Sequence, residues 1–161
     1  MSSLGTILVA EDDETDVLLL QRALKKADMC NPVMFVSDGM ACIEALAHAK
    51  LRPDERLPAL VILDLKMPRR SGFQVLEWMR AEPVIRSIPA LVFSSSTNQS
   101  DVECAYEKGA SGYMIKPASA LERAEIATFI KQWLRVIQPP LTASENFKAA
   151  LSFRAVRQSN D

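Results

Sequence analysis

Five short apolar runs, Thr6 to Ala10, Val33 to Val36, Leu60 to Leu63, Ala90 to Phe93 and Tyr113 to Ile115, set the possibilities for this chain. They are apolar almost throughout rather than alternating, which is the pattern of strands covered on both faces of a parallel sheet. Between them lie segments of helical period. Val17, Leu20, Leu24 and Ala27 mark the first, Ile43, Leu46 and Ala47 the second, and Val75, Leu76 and Met79 the third. Val102, Ala105 and Tyr106 mark the fourth, and Ile126, Phe129, Ile130, Trp133, Leu134 and Ile137 the fifth. Strand and helix alternate five times, which predicts right-handed crossovers and a doubly wound α/β sheet.

A chain of 161 residues with 48% hydrophobic and 24% charged content suits one globular unit. Its net charge of −1 and the lack of like-charge blocks make nucleic acid a poor partner. No apolar stretch approaches the roughly 20 residues that span a bilayer, so no membrane partner and a cytoplasmic location are expected. Cys30, Cys42 and Cys104 form no CxxC and are odd in number, which reads as three reduced, partly buried small hydrophobes. The fifth helix should stop before Pro139 and Pro140. Beyond them Thr142 and Glu145 have capping-box spacing, with Phe147, Ala150, Leu151 and Arg154 on one side of a short helix. That appendage is read as a tail packed on the parent domain or frayed in solvent, with a partner-binding or dimer-forming arm as the alternative.

In open α/β sheets, ligands bind beyond the carboxyl ends of the strands, where strand order reverses. There the first strand ends in Glu11-Asp12-Asp13, the third in Asp64, the fourth in Ser94 and the fifth in Lys116-Pro117. The second ends in Ser37-Asp38-Gly39, the composition of a helix N-cap. Clustered carboxylates repel one another unless a hard cation sits among them, and Mg²⁺ takes one or two carboxylates plus phosphate oxygens and water. Three carboxylates and a lysine suit phosphoryl transfer, with Asp64 as nucleophile forming an aspartyl phosphate. Taken singly, each residue has an ordinary reading: acids as helix caps, Ser94 as a turn residue, Lys116 as a surface lysine. Four such coincidences at one rim are less economical than one site.

The stretches ILVAEDD, LVILDLKMPRRSGFQVL, IPALVFSSS and GASGYMIKPAS, in this order, resemble the CheY-like receiver domains of two-component response regulators, from about Gly5 to Ile137. The resemblance implies a flavodoxin-like five-stranded parallel sheet of order 2-1-3-4-5 with five helices. The receiver would occupy residues 1–138, and residues 139–161 a C-terminal extension. It implies that Glu11 and Asp12 are the acidic pair holding Mg²⁺, with Asp12 the more direct ligand. Asp64 is then phosphoacceptor and metal ligand, and the backbone carbonyl of Lys66 a further ligand. Ser94 matches the hydroxyl that bonds the phosphoryl group, Lys116 the lysine that pairs with it, and Tyr113 the switch aromatic. Pro117 matches a proline whose preceding peptide bond is usually cis. Position 94 is serine where threonine is commoner, which keeps the hydroxyl.

No second domain is expected after Pro140, so the output should be protein contact through the fourth helix, fifth strand and fifth helix. The resemblance implies a sensor histidine kinase as partner. The long fifth helix with Trp133 and the short tail are similar to stand-alone receivers that partner bacteriophytochromes, which often pair as homodimers. A haloacid-dehalogenase-type phosphatase also places an Asp nucleophile after a parallel strand, but it wants a second Asp where Lys66 stands. A degenerate receiver that no longer takes phosphate would lack a residue that this chain retains. His48, the single histidine, lies on a helix and reads as a surface residue.

Overall fold

The computed structural model describes residues 4–137 and 142–145. Among the described residues, strands and helices alternate from Ile7 to Val136: β1 (Ile7–Ala10), α1 (Glu14–Lys26), β2 (Val33–Val36), α2 (Gly39–Lys50), β3 (Leu60–Leu63), α3 (Gly72–Ala81), β4 (Ala90–Ser94), α4 (Gln99–Glu107), β5 (Gly112–Ile115) and α5 (Ala120–Val136). The five strands pair in parallel throughout the sheet, in the order β2-β1-β3-β4-β5. The expected sheet and its order are therefore observed, with boundaries shifted by one residue at Thr6, Ser94 and Gly112.

The strands β1, β3 and β4 are buried along their whole length. Successive side chains in a strand point to opposite faces, so each strand feeds two cores. Leu8, Ala10, Val61, Leu63, Ala90 and Val92 meet Cys42 and Leu46 of α2, Val75, Leu76 and Met79 of α3, and Ala105 of α4. Ile7, Val9, Leu60, Ile62, Leu91 and Phe93 meet Leu20 and Leu24 of α1 and Ala127 and Ile130 of α5. Strand order reverses between β1 and β3, and the loops leaving those strands open on the same rim.

Polar residues at the strand ends start the helices. Asp13 accepts from the Asp16 amide at 2.8 Å, Asp38 from Ala41 at 2.8 Å, and Ser119 from Glu122 at 3.2 Å. Ser71 and Gln74 close a reciprocal capping box on α3. Helix α5 ends at Val136, capped by Ile137. The capping box between Thr142 and Glu145 forms, and Ala143 is buried beside the Pro53–Arg56 loop, where Ser144 donates to the Pro53 carbonyl at 3.3 Å. The expected helix face of Phe147, Ala150, Leu151 and Arg154 lies outside the described residues, as do Pro139 and Pro140.

Cys42 is fully buried, and burial, aided by the nearby Asp38 charge, pushes its thiol up to about 12. Cys104 is half-buried, whereas Cys30 is exposed and not a partly buried hydrophobe. His48 is exposed, as expected. Among the described residues, no helix is long and apolar enough to cross a membrane.

Candidate functional site

The rim beyond β1 and β3 gathers the acids that the sequence singles out. One carboxylate oxygen each from Glu11, Asp12 and Asp64 lies within 4.8 Å of the others. Glu11 and Asp64 are buried and Asp12 is exposed. Two amides fix the buried pair: Asp13 donates to Glu11 Oε1 at 3.0 Å and Leu65 to Asp64 Oδ1 at 2.7 Å.

Lys116, first residue beyond β5, reaches back across the sheet end. Its Nζ lies 2.6 Å from Glu11 Oε2, 2.8 Å from Asp16 Oδ2 and 3.2 Å from Asp64 Oδ2. Burial works against the ammonium, but hydrogen bonds to Asp16 and Glu11 and the charge of Asp64 outweigh it and hold its pKa above that of an ordinary lysine. Burial raises the pKa of Glu11 despite the contact with Lys116. For Asp16, burial is outweighed by Lys116 and Arg123, which hold its carboxyl below the usual range.

Asp16 and Arg123 were not singled out from the sequence. Arg123, in the first turn of α5, donates from Nη2 to Asp16 Oδ1 at 3.2 Å. The site thus holds four carboxylates, Glu11, Asp12, Asp16 and Asp64, against two cations, Lys116 and Arg123. The two uncompensated negative charges and an all-oxygen donor set fit a hard divalent cation.

Ser94 ends β4 at the same rim, opposite Ile115 in the ladder, and is buried. Its Oγ accepts from the Ser96 amide at 3.2 Å. Ser96 is a junction that the sequence did not reveal: its hydroxyl donates to Asp101 Oδ2 of α4 at 2.5 Å, and its carbonyl accepts from the Tyr113 hydroxyl at 2.9 Å. The Tyr113 ring is half-buried against the core beneath α4. Lys66 follows Asp64 in the β3–α3 loop with its side chain in solvent. The peptide bond before Pro117 is trans, against the expected cis form, since no cis bond occurs among the described residues. Proline narrows the preference for trans to about 0.5–1 kcal/mol without reversing it, so its presence permits cis but does not require it.

A separate ion pair straps the β3–α3 loop. Arg69 donates from Nε and Nη2 to Asp38 Oδ2 at 3.0 and 2.6 Å, while Asp38 Oδ1 caps α2. The pair spans the loops after β2 and β3, and Arg69 holds φ +61°, a left-handed conformation that a long side chain adopts only with support. The Arg69 contact, then the Ala41 amide, holds the Asp38 carboxyl below its ordinary 3.8. A lowered folded-state pKa stabilises above the unfolded value, and that stability is lost as pH falls through the folded one. Asp38→Asn, which keeps the cap oxygen, should therefore melt below the parent at pH 7, with a gap that closes below about pH 3.8 and narrows in high salt. Melting curves from pH 7 to 2.5 test this; a gap independent of pH would assign the loss to the cap.

Residues 7–128 match the response regulator receiver domain family. Response regulator Rcp1 of Synechocystis sp. is 28% identical over 135 residues, covering 83% of this chain and 92% of that protein. Its Mn²⁺-bound crystal structure overlays with a TM-score of 0.74, over 85% of this chain and 99% of that one. The phosphorylated cyanobacterial phytochrome response regulator RcpA is 29% identical, with a TM-score of 0.76 over 85% and 99% of the two chains. A response regulator in red light signalling of R. palustris is 31% identical, with a TM-score of 0.77 over 86% and 100%. The parallel sheet, the acidic rim with its lysine and the match over most of the length agree: this chain belongs to the response regulator receiver domains, signalling proteins whose family is switched by phosphorylation of an aspartate and partnered by histidine kinases.

Proposed function

We propose that this chain is a phosphorylation-controlled protein-contact switch whose phosphoacceptor is Asp64. One observation carries the reading: Asp64 shares a 4.8 Å acidic cluster with Glu11 and Asp12 and lies 3.2 Å from the Lys116 ammonium. An Asp64 oxygen attacks the phosphorus of a kinase phosphohistidine; the P–N bond breaks, its electrons return to the imidazole, and the acyl phosphate stays on Asp64. Glu11, Asp12, Asp64 and the backbone carbonyl of Lys66 would hold Mg²⁺, which when bound neutralises and aligns the phosphoryl oxygens. Lys116 supplies a fixed positive charge for the same oxygens. The chain carries out only its own phosphorylation and dephosphorylation, in the cytoplasm, as a receiver over residues 1–138 with an extension at 139–161.

Signalling follows from the Ser96 junction. A phosphoryl group that draws Ser94 Oγ inward takes an acceptor from the Ser96 amide, and Ser96 also anchors Tyr113 and α4 through Asp101. Release there lets the Tyr113 ring turn further inward and changes the α4–β5–α5 face. That face exposes Tyr106, Ile115, Leu121 and Phe129, which supports a homodimer formed on phosphorylation. Likeness to phytochrome response regulators supports a bacteriophytochrome as the kinase.

Incubation with acetyl phosphate and Mg²⁺, followed by intact mass, tests the reading: one phosphate adduct is expected, absent with chelator. Size exclusion with beryllofluoride should shift the protein to a dimer that Phe129→Glu abolishes; a monomer throughout would remove the dimer from the proposal.

A further inference from the structure

We propose that Asp16 and Arg123 form a positioning relay that exchanges counterions with Lys116 when the phosphoryl group arrives, tying the first turn of α5 to the state of Asp64. The inference rests on Asp64 being the acceptor. An ammonium group has three hydrogens, and here three carboxylates, Glu11, Asp16 and Asp64, surround Lys116 Nζ. A phosphoryl group on Asp64 puts more negative charge and three acceptor oxygens where a single Asp64 oxygen stood, so it draws Lys116 further than that one contact does and pulls it off one of its other two partners, Glu11 or Asp16. Glu11 is buried, its Oε1 is held by the Asp13 amide, and its Oε2 makes the shortest of the three contacts to Lys116, at 2.6 Å, so it holds on. Asp16 has a second cation, Arg123, and loses least.

Arg123 is built to take the released carboxylate. It is a buried side chain, about 9% exposed, and its Nη1 has no hydrogen-bond partner among the described residues. Buried donors are rarely left unmet, and each one costs its lost hydration. In the resting state the guanidinium therefore stands one acceptor short. Once Lys116 turns to the phosphoryl oxygens, Asp16 is free to offer both of its oxygens to Arg123, and an arginine and a carboxylate close well as two parallel bonds. The contact missing at rest is supplied in the phosphorylated state, in the same helix that exposes Leu121 and Phe129.

The relay predicts effects of opposite sign in a titration with beryllofluoride at saturating Mg²⁺. Arg123→Gln leaves Asp16 dependent on Lys116 and should weaken binding about tenfold, whereas Asp16→Asn frees Lys116 and should tighten it by a similar factor. In the Asp16→Asn background, Arg123→Gln should change nothing further. Arg123→Lys, which keeps a charge for Asp16, should restore most of the affinity lost in Arg123→Gln. Weaker binding in both single variants, or an Arg123→Gln effect that persists without Asp16, would show a merely structural role and overturn the relay. If Arg123→Gln fails to fold, Asp16→Asn with Arg123→Lys decides: tighter and near-parental binding uphold the relay, and weaker binding by Asp16→Asn overturns it. A parent that binds no beryllofluoride would remove the assignment of Asp64 and the relay together, while a binding parent with additive variants would remove the relay alone.

Discussion

Asp64→Asn is expected to take up no phosphate from acetyl phosphate, under conditions where the parent gains one adduct. Asparagine keeps the shape of the side chain and an oxygen to accept from the Leu65 amide, as Asp64 Oδ1 does at 2.7 Å. Lys116 keeps Glu11 at 2.6 Å and Asp16 at 2.8 Å, so no cation is stranded and the fold should hold. What disappears is the anionic oxygen proposed to attack phosphorus, together with one of the three clustered carboxylates. Labelling should drop to background, and a chelator should do the same to the parent. The other acids at the rim make this a demanding test, because Glu11 and Asp12 offer nearby carboxylates. An adduct of equal yield in the variant would move the chemistry to one of them and end the assignment of Asp64.

How much of this could be read from residues alone depends on whether a feature is local in sequence. A central strand buried on both faces writes itself as a continuous apolar run, so Leu60 to Leu63 is found to the residue, and the half-buried edge strand Val33 to Val36 is found to the residue by the same apolar run. Site residues at strand ends are legible for the same reason: a polar side chain after an apolar run marks where the strand leaves the core. Asp16, Arg123 and Ser96 lack that contrast. Asp16 and Arg123 sit within helices among other charged residues, and only the packing of α1 on α5 brings them together, 107 positions apart in sequence. Ser96 lies in a run of hydroxyl residues in which nothing local separates it from Ser95. Part of the core was hidden too. Val84, Ile85 and Ile88 are buried but follow no helical or strand period, since the chain there runs in turns after α3. A proline permits two isomers close in energy, so the residue type alone does not choose the trans bond found before Pro117.

Gly72→Ala should damage both stability and the aim of Asp64. Gly72 opens α3, and its amide donates to the Leu65 carbonyl at 3.0 Å, which pulls the helix start against the peptide that follows Asp64. A Cβ there would stand 2.2 Å from the Asp64 carbonyl oxygen and 3.0 Å from the Leu65 Cα, both of them backbone atoms. No rotamer relieves such a contact; either α3 backs away or the end of β3 moves. Overpacking of this kind costs roughly 1–3 kcal/mol or more, which for a chain of this size lowers the melting temperature by roughly 3–10 °C. The part of the backbone that must yield is the one that aims Asp64, so phosphate uptake should fall as well. Gly112→Ala is the matched control. Its Cβ would meet only the Leu91 Cδ2 at 2.9 Å, the far end of a side chain that can turn aside. It should cost less stability and leave labelling near the parental level. If Gly72→Ala melted and labelled like the parent, the start of α3 and the end of β3 would be free to slide past one another. The close seat of Gly72 would then not be what aims Asp64.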